Sequence, residues 1–198
     1  MATPQPTVIV LGAGRGSRFL GGGHKLARAW AGSTVMGQTV TRALASGLPI
    51  KVVTTEPLLP LIAPQVARRD IIVLPDAASA PMLGMGASIS AGVRACFDAT
   101  GWLVLPADMP MVEPATIRSV AGALRHHAVA YPQHQGRRGH PVGFAPELLR
   151  ELVDLKGDEG ARRVVARYPA HALDVEDSGV LMDLDTEEDF TRIEASMF

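Results

Sequence analysis

The chain has 198 residues, of which 47% are hydrophobic and 20% charged. The apolar content is enough for one globular core, and the length is too short for three domains. The composition is unlike that of a collagen, a coiled coil or a low-complexity protein. No run approaches the roughly 18 apolar residues of a membrane span, no export signal is recognisable, and the single cysteine, Cys96, cannot form an internal disulfide. With a net charge of −1, we expect one cytoplasmic domain over residues 1–198 that binds neither membranes nor nucleic acids.

Alternating strands and helices are predicted along the chain. Apolar, β-branched runs predict strands at 7–11, 50–54, 70–74, 102–105, 128–131, 142–144, 172–175 and 180–184. Helical spacing of apolar residues predicts helices at 35–46, 58–67, 88–97, 113–126, 147–154 and 159–168, and a last helix from 187. This order is typical of a mainly parallel sheet with helices on both faces, so we predict a doubly wound α/β fold. Ligands of such folds bind beyond the carboxyl ends of the strands.

The residues after the first predicted strand are glycine-rich and basic. Residues 11–25 read LGAGRGSRFLGGGHK, and no acidic residue occurs before Glu56. Glycines allow backbone N–H groups to approach a phosphate closely, and Arg18 and Lys25 can neutralise its charge. We therefore predict a polyphosphate-binding loop; the alternative is a glycine-rich surface turn with solvated charges.

Two common nucleotide-binding motifs do not fit this loop. Ser17 occupies the third glycine position of the dinucleotide fingerprint, and the acidic residue expected about twenty positions later is absent. A Walker loop has Gly-Lys followed by Ser or Thr, whereas Lys25 lies between His24 and Leu26. A hydride-transfer enzyme and a P-loop ATPase are therefore disfavoured.

Carboxylates that follow two late strands are candidate metal ligands. Asp108 follows the apolar run 102–105 and is flanked by Pro106 and Pro110, so it can hold Mg²⁺ against substrate phosphates; an ordinary turn aspartate is the alternative. Asp183 and Asp185 alternate with apolar residues and share one side if the segment is extended. Either can complete the metal site, although Asp185 can also cap the last helix.

Six ordered segments resemble the MobA-like nucleotidyltransferases, and most closely their molybdenum cofactor cytidylyltransferase (MocA-like) branch. They are LGAGRGSR with Lys25, then GMGASISAGV at 84–93, DMP at 108–110, RGHPVGF at 138–144, KGDEGAR at 156–162 and VLMDLDTEED at 180–189. The resemblance implies a Rossmann-like nucleotidyltransferase fold with a mainly parallel mixed sheet. It also implies transfer of CMP from CTP to the phosphate of molybdopterin, with release of pyrophosphate.

The same resemblance implies roles for individual residues. Arg18, Lys25 and Asp108 are the expected catalytic residues, with Mg²⁺ held by Asp108 and by Asp183 or Asp185. His140 and Arg138 are expected on the acceptor side, although a structural histidine and a solvated arginine are open alternatives. The expected nucleotide contacts are Leu11, Gly12, Ala13, Gly14, Arg15, Arg18, Lys25, Gly84, Gly86 and Ser88.

Other functions of the same residues remain open at this stage. A nucleotidyltransferase that uses GTP or a sugar phosphate would share the loop and Asp108 and differ in the base-reading segment. A non-enzymatic carrier would bind the finished molybdenum cofactor and deliver it to a molybdenum hydroxylase, a recipient that an enzyme of this kind can also have.

Overall fold

The computed structural model describes residues 4–14, 24–75 and 84–196. Its strands are β1 (Thr7–Leu11), β2 (Ala29–Trp30), β3 (Ser33–Thr34), β4 (Ile50–Thr55), β5 (Ile71–Leu74), β6 (Trp102–Pro106), β7 (Val129–His134), β8 (Arg137–Arg138), β9 (Val142–Phe144) and β10 (Ala170–Asp174). Its α-helices are α1 (Val35–Ala45), α2 (Met85–Arg94), α3 (Pro114–Ala123), α4 (Leu149–Val153), α5 (Arg162–Arg167) and α6 (Glu187–Ser196). Within these described ranges, no helix has the length and apolarity that crossing a membrane requires.

One mixed sheet organises the part of the chain that the structure describes. Seven of its strands follow the order β10-β7-β9-β6-β1-β4-β5, and β8 pairs with β7. The pairs β1 with β4, β1 with β6, β4 with β5, and β10 with β7 are parallel. Strand β9 runs antiparallel between β6 and β7. The predicted doubly wound α/β fold with a mainly parallel sheet is confirmed.

Alternating side chains of the central strand pack into two separate cores. Val8 and Val10 of β1 point to the face covered by α1, α3 and α6, whereas Ile9 points to the face covered by α2, α4 and α5. All three side chains are fully buried. This period of two explains why the strand is apolar throughout, because a strand covered on both faces has no side for polar residues.

The structure differs from the predicted elements in several places. Residues 58–67 do not form an α-helix: a 3₁₀ helix, Glu56–Leu61, contains Pro60 and is followed by turns, because proline inside a helix removes a backbone donor. Residues 180–184 do not form a strand: a 3₁₀ helix, Ser178–Leu181, is followed by an irregular segment. A short apolar run indicates that a segment is buried but does not by itself distinguish a strand from other buried structure. The hairpin of β2 and β3 was not predicted, and residues 133–139, expected to form a polar loop, instead contain the end of β7 and the paired strand β8.

Two helical glycines should respond oppositely to alanine. A Cβ at Gly92 of α2 would lie 2.5 Å from Ile9 Cγ2 and 3.2 Å from Val53 Cγ2, whereas a Cβ at Gly122 of α3 would meet nothing within 4 Å. We expect Gly92→Ala to lower the free energy of unfolding by about 1–3 kcal/mol through overpacking. Gly122→Ala should raise it by about 0.5–1 kcal/mol because alanine favours the helix. Urea unfolding measures both; equal effects would contradict this packing of α2.

Candidate active site

The carboxyl ends of β1 and β6 lie side by side and begin the site. Leu11 pairs with Pro106 at the last position of the two strands, and the Ala107 N–H donates to the Leu11 carbonyl at 3.0 Å. The hydroxyl of Thr39 on α1 donates to the Ala107 carbonyl at 2.9 Å. The chain is therefore held on both sides immediately before Asp108.

Lys25 joins Asp108 to Asp185. The Lys25 Nζ donates to Asp108 Oδ2 at 2.6 Å and also to Asp185 Oδ1. Asp185 is brought there by the backbone, because the N–H of Leu184 donates to the Asp108 carbonyl at 3.0 Å. The three side chains are mostly buried, with exposed fractions of 13% for Lys25, 17% for Asp108 and 29% for Asp185.

The electrostatics of this cluster favour a bound cation. Burial alone would lower the pKa of Lys25, but the charge and hydrogen bond of Asp108, supported by Asp185, outweigh burial and raise it. Desolvation raises the pKa of nearby Asp183, and the carboxylates of Asp185 and Asp108 raise it further. Removing the ammonium would leave converging carboxylates without their counter-charge.

The donor atoms of this cluster fit a hard divalent cation. Asp108 Oδ1 is buried and has no hydrogen-bond partner, while Oδ2 and Asp185 Oδ1 converge on one nitrogen. The described residues contain no group of three or more His, Cys, Asp or Glu side chains arranged for a metal. Mg²⁺ commonly binds one or two carboxylates and completes its shell with phosphates and water, so two aspartates suffice.

A cavity of about 790 Å³ opens over this cluster. Its volume lies within the roughly 300–1,000 Å³ of small-molecule sites. The residues that line it come from the loops after β1 and β6, the start of α2, the β8 region and the segment before α6. They are Leu11, Ala13, Gly14, His24, Lys25, Leu26, Gly84, Met85, Ser88, Pro106, Asp108, Met109, Arg137, Arg138, Gly139, His140, Asp158, Arg162, Val180, Leu181, Asp183 and Asp185.

Arg137, Arg138 and Arg162 line the cavity, and the last two influence each other's charge. The Arg138 guanidinium lies 4.6 Å above the centre of the Tyr131 ring, a favourable cation–π arrangement. Desolvation lowers the pKa of Arg138, and the positive charge of Arg162 at the start of α5 lowers it further. Among the described ion pairs, neither Arg138 nor Arg162 has a carboxylate partner. An anionic group in this part of the cavity would therefore find two uncommitted positive charges.

His140 lies between these arginines and the carboxylates. Its Nδ1 is buried and has no hydrogen-bond partner. Desolvation lowers the pKa of His140, and Arg138 lowers it further, against the opposing effect of Asp108. His140 is therefore a neutral imidazole at neutral pH, able to hydrogen-bond a ligand without adding charge.

A contact that only glycine allows shapes the part of the cavity at the start of α2. The N–H of Gly86 donates to the Gly157 carbonyl at 2.8 Å. A Cβ at Gly84 would lie 2.0 Å from Asp158 Oδ1 and 2.5 Å from the Gly157 carbonyl carbon. The start of α2 and the segment around Asp158 therefore form one surface.

The structure brings some of the predicted site residues together and not others. Lys25, Asp108 and Asp185 come together as predicted, while the ion pairs of Lys25 do not include Asp183, which is exposed. Arg15 and Arg18 lie outside the described residues. The remaining predicted residues that line the cavity are Leu11, Ala13, Gly14, Gly84, Ser88, Arg138 and His140.

Gly12 and Gly86, which are expected to contact a nucleotide, are buried and are not among the residues that line the cavity. The Gly12 N–H is bonded to the Val53 carbonyl at 2.7 Å, and a Cβ there would lie 2.6 Å from Met36 Cε. Both glycines therefore serve close packing. Sequence reasoning missed the cavity positions of Arg162 and Asp158, although both stand in the KGDEGAR segment.

A second cavity lies at the opposite end of the sheet, where the parallel strands begin. It has a volume of about 670 Å³, and Pro6, Thr100 and Ala128, which precede the starts of β1, β6 and β7, are among its lining residues. None of the predicted site residues lines it. In parallel sheets the carboxyl edge is the usual ligand site, so the cavity over Lys25 is the candidate active site.

Comparisons with known proteins agree with this geometry. The sequence pattern that defines the MobA-like NTP transferase domain matches residues 8–173. The purine catabolism protein PucB of Bacillus subtilis (strain 168) is 30% identical, and the alignment covers 100% of both chains. The crystal structure of Rv0371c from Mycobacterium tuberculosis is similar with a TM-score of 0.80, 29% identity and coverage of 96% of this chain and 97% of that one. Its complex with manganese gives a TM-score of 0.77 at 27% identity, covering 97% and 99% of the two chains.

Replacing His140 should weaken the acid sensitivity of the fold. Because the folded-state pKa of His140 is lowered, the unfolded chain binds that proton more readily, and stability is lost as pH falls below about 6.5 toward the lowered pKa. We expect His140→Asn to lose less free energy of unfolding than the parent protein between pH 7.5 and pH 5.5 in urea titrations. An equal or larger loss in the variant would contradict this assignment.

Proposed function

The chain belongs to the MobA-like NTP transferase family, and on that premise we propose that it transfers CMP from CTP to the phosphate of a molybdopterin-type acceptor, releasing pyrophosphate. The observation that carries the proposal is the Lys25 ammonium held between Asp108 and Asp185 at the carboxyl edge of the sheet. Transfer of a nucleotidyl group between phosphates requires a bound cation and a positively charged side chain beside the phosphates. Asp108, Asp185 and Lys25 would provide both in one cavity.

The reaction needs no protein nucleophile. An oxygen of the acceptor phosphate attacks the α-phosphorus of CTP, the bond from that phosphorus to the bridging oxygen breaks, and pyrophosphate leaves with the electron pair. Asp108 and Asp185 would hold Mg²⁺, which when bound neutralises charge on the phosphate oxygens. Lys25 stabilises the negative charge of the triphosphate and of the departing pyrophosphate.

The nucleotide occupies the side of the cavity formed by the first loop and α2. Ala13 and Gly14 follow β1 on the cavity surface, and Gly84 and Ser88 line it at the start of α2. We assign the base and ribose to these residues. Arg15 and Arg18 would approach the triphosphate from the segment between Gly14 and His24.

The acceptor occupies the side with the arginines. Arg138 and Arg162 offer uncommitted positive charge for a phosphate monoester, and His140 offers a neutral hydrogen-bonding ring. Leu181 is partly exposed where it lines the same cavity and supplies apolar surface for a pterin ring. The product would be passed in the cytoplasm to a molybdenum hydroxylase.

Nucleotide preference and the role of Asp108 can be measured together. With Mg²⁺ and molybdopterin, we expect pyrophosphate release with CTP and little with GTP or ATP. Asp108→Asn should lower the turnover number by about 10²–10³-fold, as loss of one charge-stabilising group does. The matched control is Asp70→Asn, because Asp70 is likewise partly buried and paired with a lysine, Lys51, at 2.7 Å.

The alternatives make different predictions in the same assay. Release with GTP alone would identify the GTP-using transferase. No release with any nucleotide, with cofactor binding retained by Asp108→Asn, would identify a carrier and contradict the enzymatic proposal.

Arg162 should act on the acceptor and not on CTP. We expect Arg162→Ala to raise the KM for molybdopterin by about 10- to 150-fold, since a charge-assisted hydrogen bond contributes roughly 1.5–3 kcal/mol, and to leave the KM for CTP unchanged. Arg163→Ala is the matched control, because Arg163 is the next residue of α5 and pairs with Glu159 at 2.9 Å. Equal effects of the two substitutions, or an effect on CTP alone, would contradict the assignment.

A further inference from the structure

Lys25 occupies the position that the two candidate metal-binding carboxylates would give to a metal. Its ammonium contacts Asp108 Oδ2 and Asp185 Oδ1 at the same time. A divalent cation bound by these oxygens would lie next to Nζ in a mostly buried setting, where like charges repel strongly. The ammonium and the cation therefore compete for the same two atoms.

The anchored backbone of Lys25 restricts the way in which this competition can be resolved. Residues Lys25–Ala27 form a 3₁₀ turn that His24 caps by accepting from the Leu26 N–H at 3.2 Å. Leu26 is only 4% exposed and belongs to the core. The backbone is therefore fixed, and only the flexible four-carbon side chain of Lys25 can carry the ammonium to another partner.

A triphosphate is the partner that the cavity provides for. Ala13, Gly14 and His24 line the same cavity as Lys25, so an anion bound beside these residues would share the cavity with the lysine side chain. Asp108 Oδ1, buried and without a hydrogen-bond partner, is a further oxygen that the ammonium leaves unused and that a cation can take. An incoming nucleotide thus offers the ammonium new acceptors and the cation new ligands.

We infer that Lys25 prevents the free divalent metal ion from binding, because its ammonium occupies the space between Asp108 and Asp185. The metal ion binds together with a nucleoside triphosphate, whose phosphates become the new partners of the ammonium. This inference rests on the proposed function, because it assumes that the cavity binds a nucleoside triphosphate. It makes metal and nucleotide binding mutually dependent, with the same coupling factor for each ligand.

Free Mn²⁺ is the probe for this exclusion, and electron paramagnetic resonance measures its binding without turnover. At pH 7.5 and without nucleotide, we expect Lys25→Met to bind Mn²⁺ at least tenfold more tightly than the parent protein. Lys51→Met is the matched control, because Lys51 is partly buried and pairs with Asp70 at 2.7 Å outside the cavity; it should leave Mn²⁺ affinity unchanged. Unchanged or weaker binding by Lys25→Met would overturn the inference.

The coupling to nucleotide provides a second measurement. A non-hydrolysable CTP analogue should raise the Mn²⁺ affinity of the parent protein, and this increase should shrink about tenfold in Lys25→Met. An equal increase in both proteins would overturn the inference. Lys25→Gln, neutral and polar, repeats both measurements if the methionine variant is poorly folded by circular dichroism.

Further measurements identify where the additional Mn²⁺ binds and distinguish a failure of this inference from a failure of the proposed function. Adding Asp108→Asn to Lys25→Met should abolish the gain; a gain that persists would place the ion elsewhere and overturn the inference. If the parent enzyme releases pyrophosphate while Lys25→Met shows no gain, the inference fails and the proposed function stands. If no nucleotide supports release and none alters Mn²⁺ binding, the proposed function fails.

Discussion

An ammonium shared by two carboxylates joins three distant parts of this chain. Lys25 lies 83 residues before Asp108 and 160 before Asp185, and the sheet brings them together through β1, β6 and the segment before α6. Each partner makes the burial of the others tolerable, because a partly buried charge without a counter-charge is strongly unfavourable. The proposed chemistry follows from the same constraint, because carboxylates that need a counter-charge would accept a metal ion once the ammonium had another partner.

The sides of the cavity depend on close backbone contacts in addition to charge. Gly139 shows this on the acceptor side, where a Cβ would lie 2.4 Å from the Val180 carbonyl oxygen, and the neighbouring His140 N–H donates to that oxygen at 3.0 Å. Gly84 has the corresponding role beside Asp158. Gly84, which is expected to contact the nucleotide, and Gly139 therefore also allow the close backbone contacts that shape the cavity.

Local pattern predicted the framework of the fold well. Apolar β-branched runs place β1, β4 and β6 almost at their observed bounds, and helical spacing of apolar residues places α1. Prediction failed where a single residue or a remote contact decides the structure. Pro60 prevents the helix at 58–67, and the segment after Val180 is held by the Leu184 bond to Asp108, which no local pattern encodes. The aspartates were found from chemistry, whereas the choice of Asp185 over Asp183 as the partner of Lys25 required the three-dimensional arrangement.

The most direct test of the account is the anomalous diffraction signal of Mn²⁺ in crystals soaked with and without a non-hydrolysable CTP analogue. The account predicts a peak between Asp108 and Asp185 only when the analogue is present, with the Lys25 ammonium moved onto its phosphates. A strong peak at these carboxylates without nucleotide, or an analogue-bound structure in which Lys25 still bridges the aspartates and the metal lies elsewhere, would contradict it.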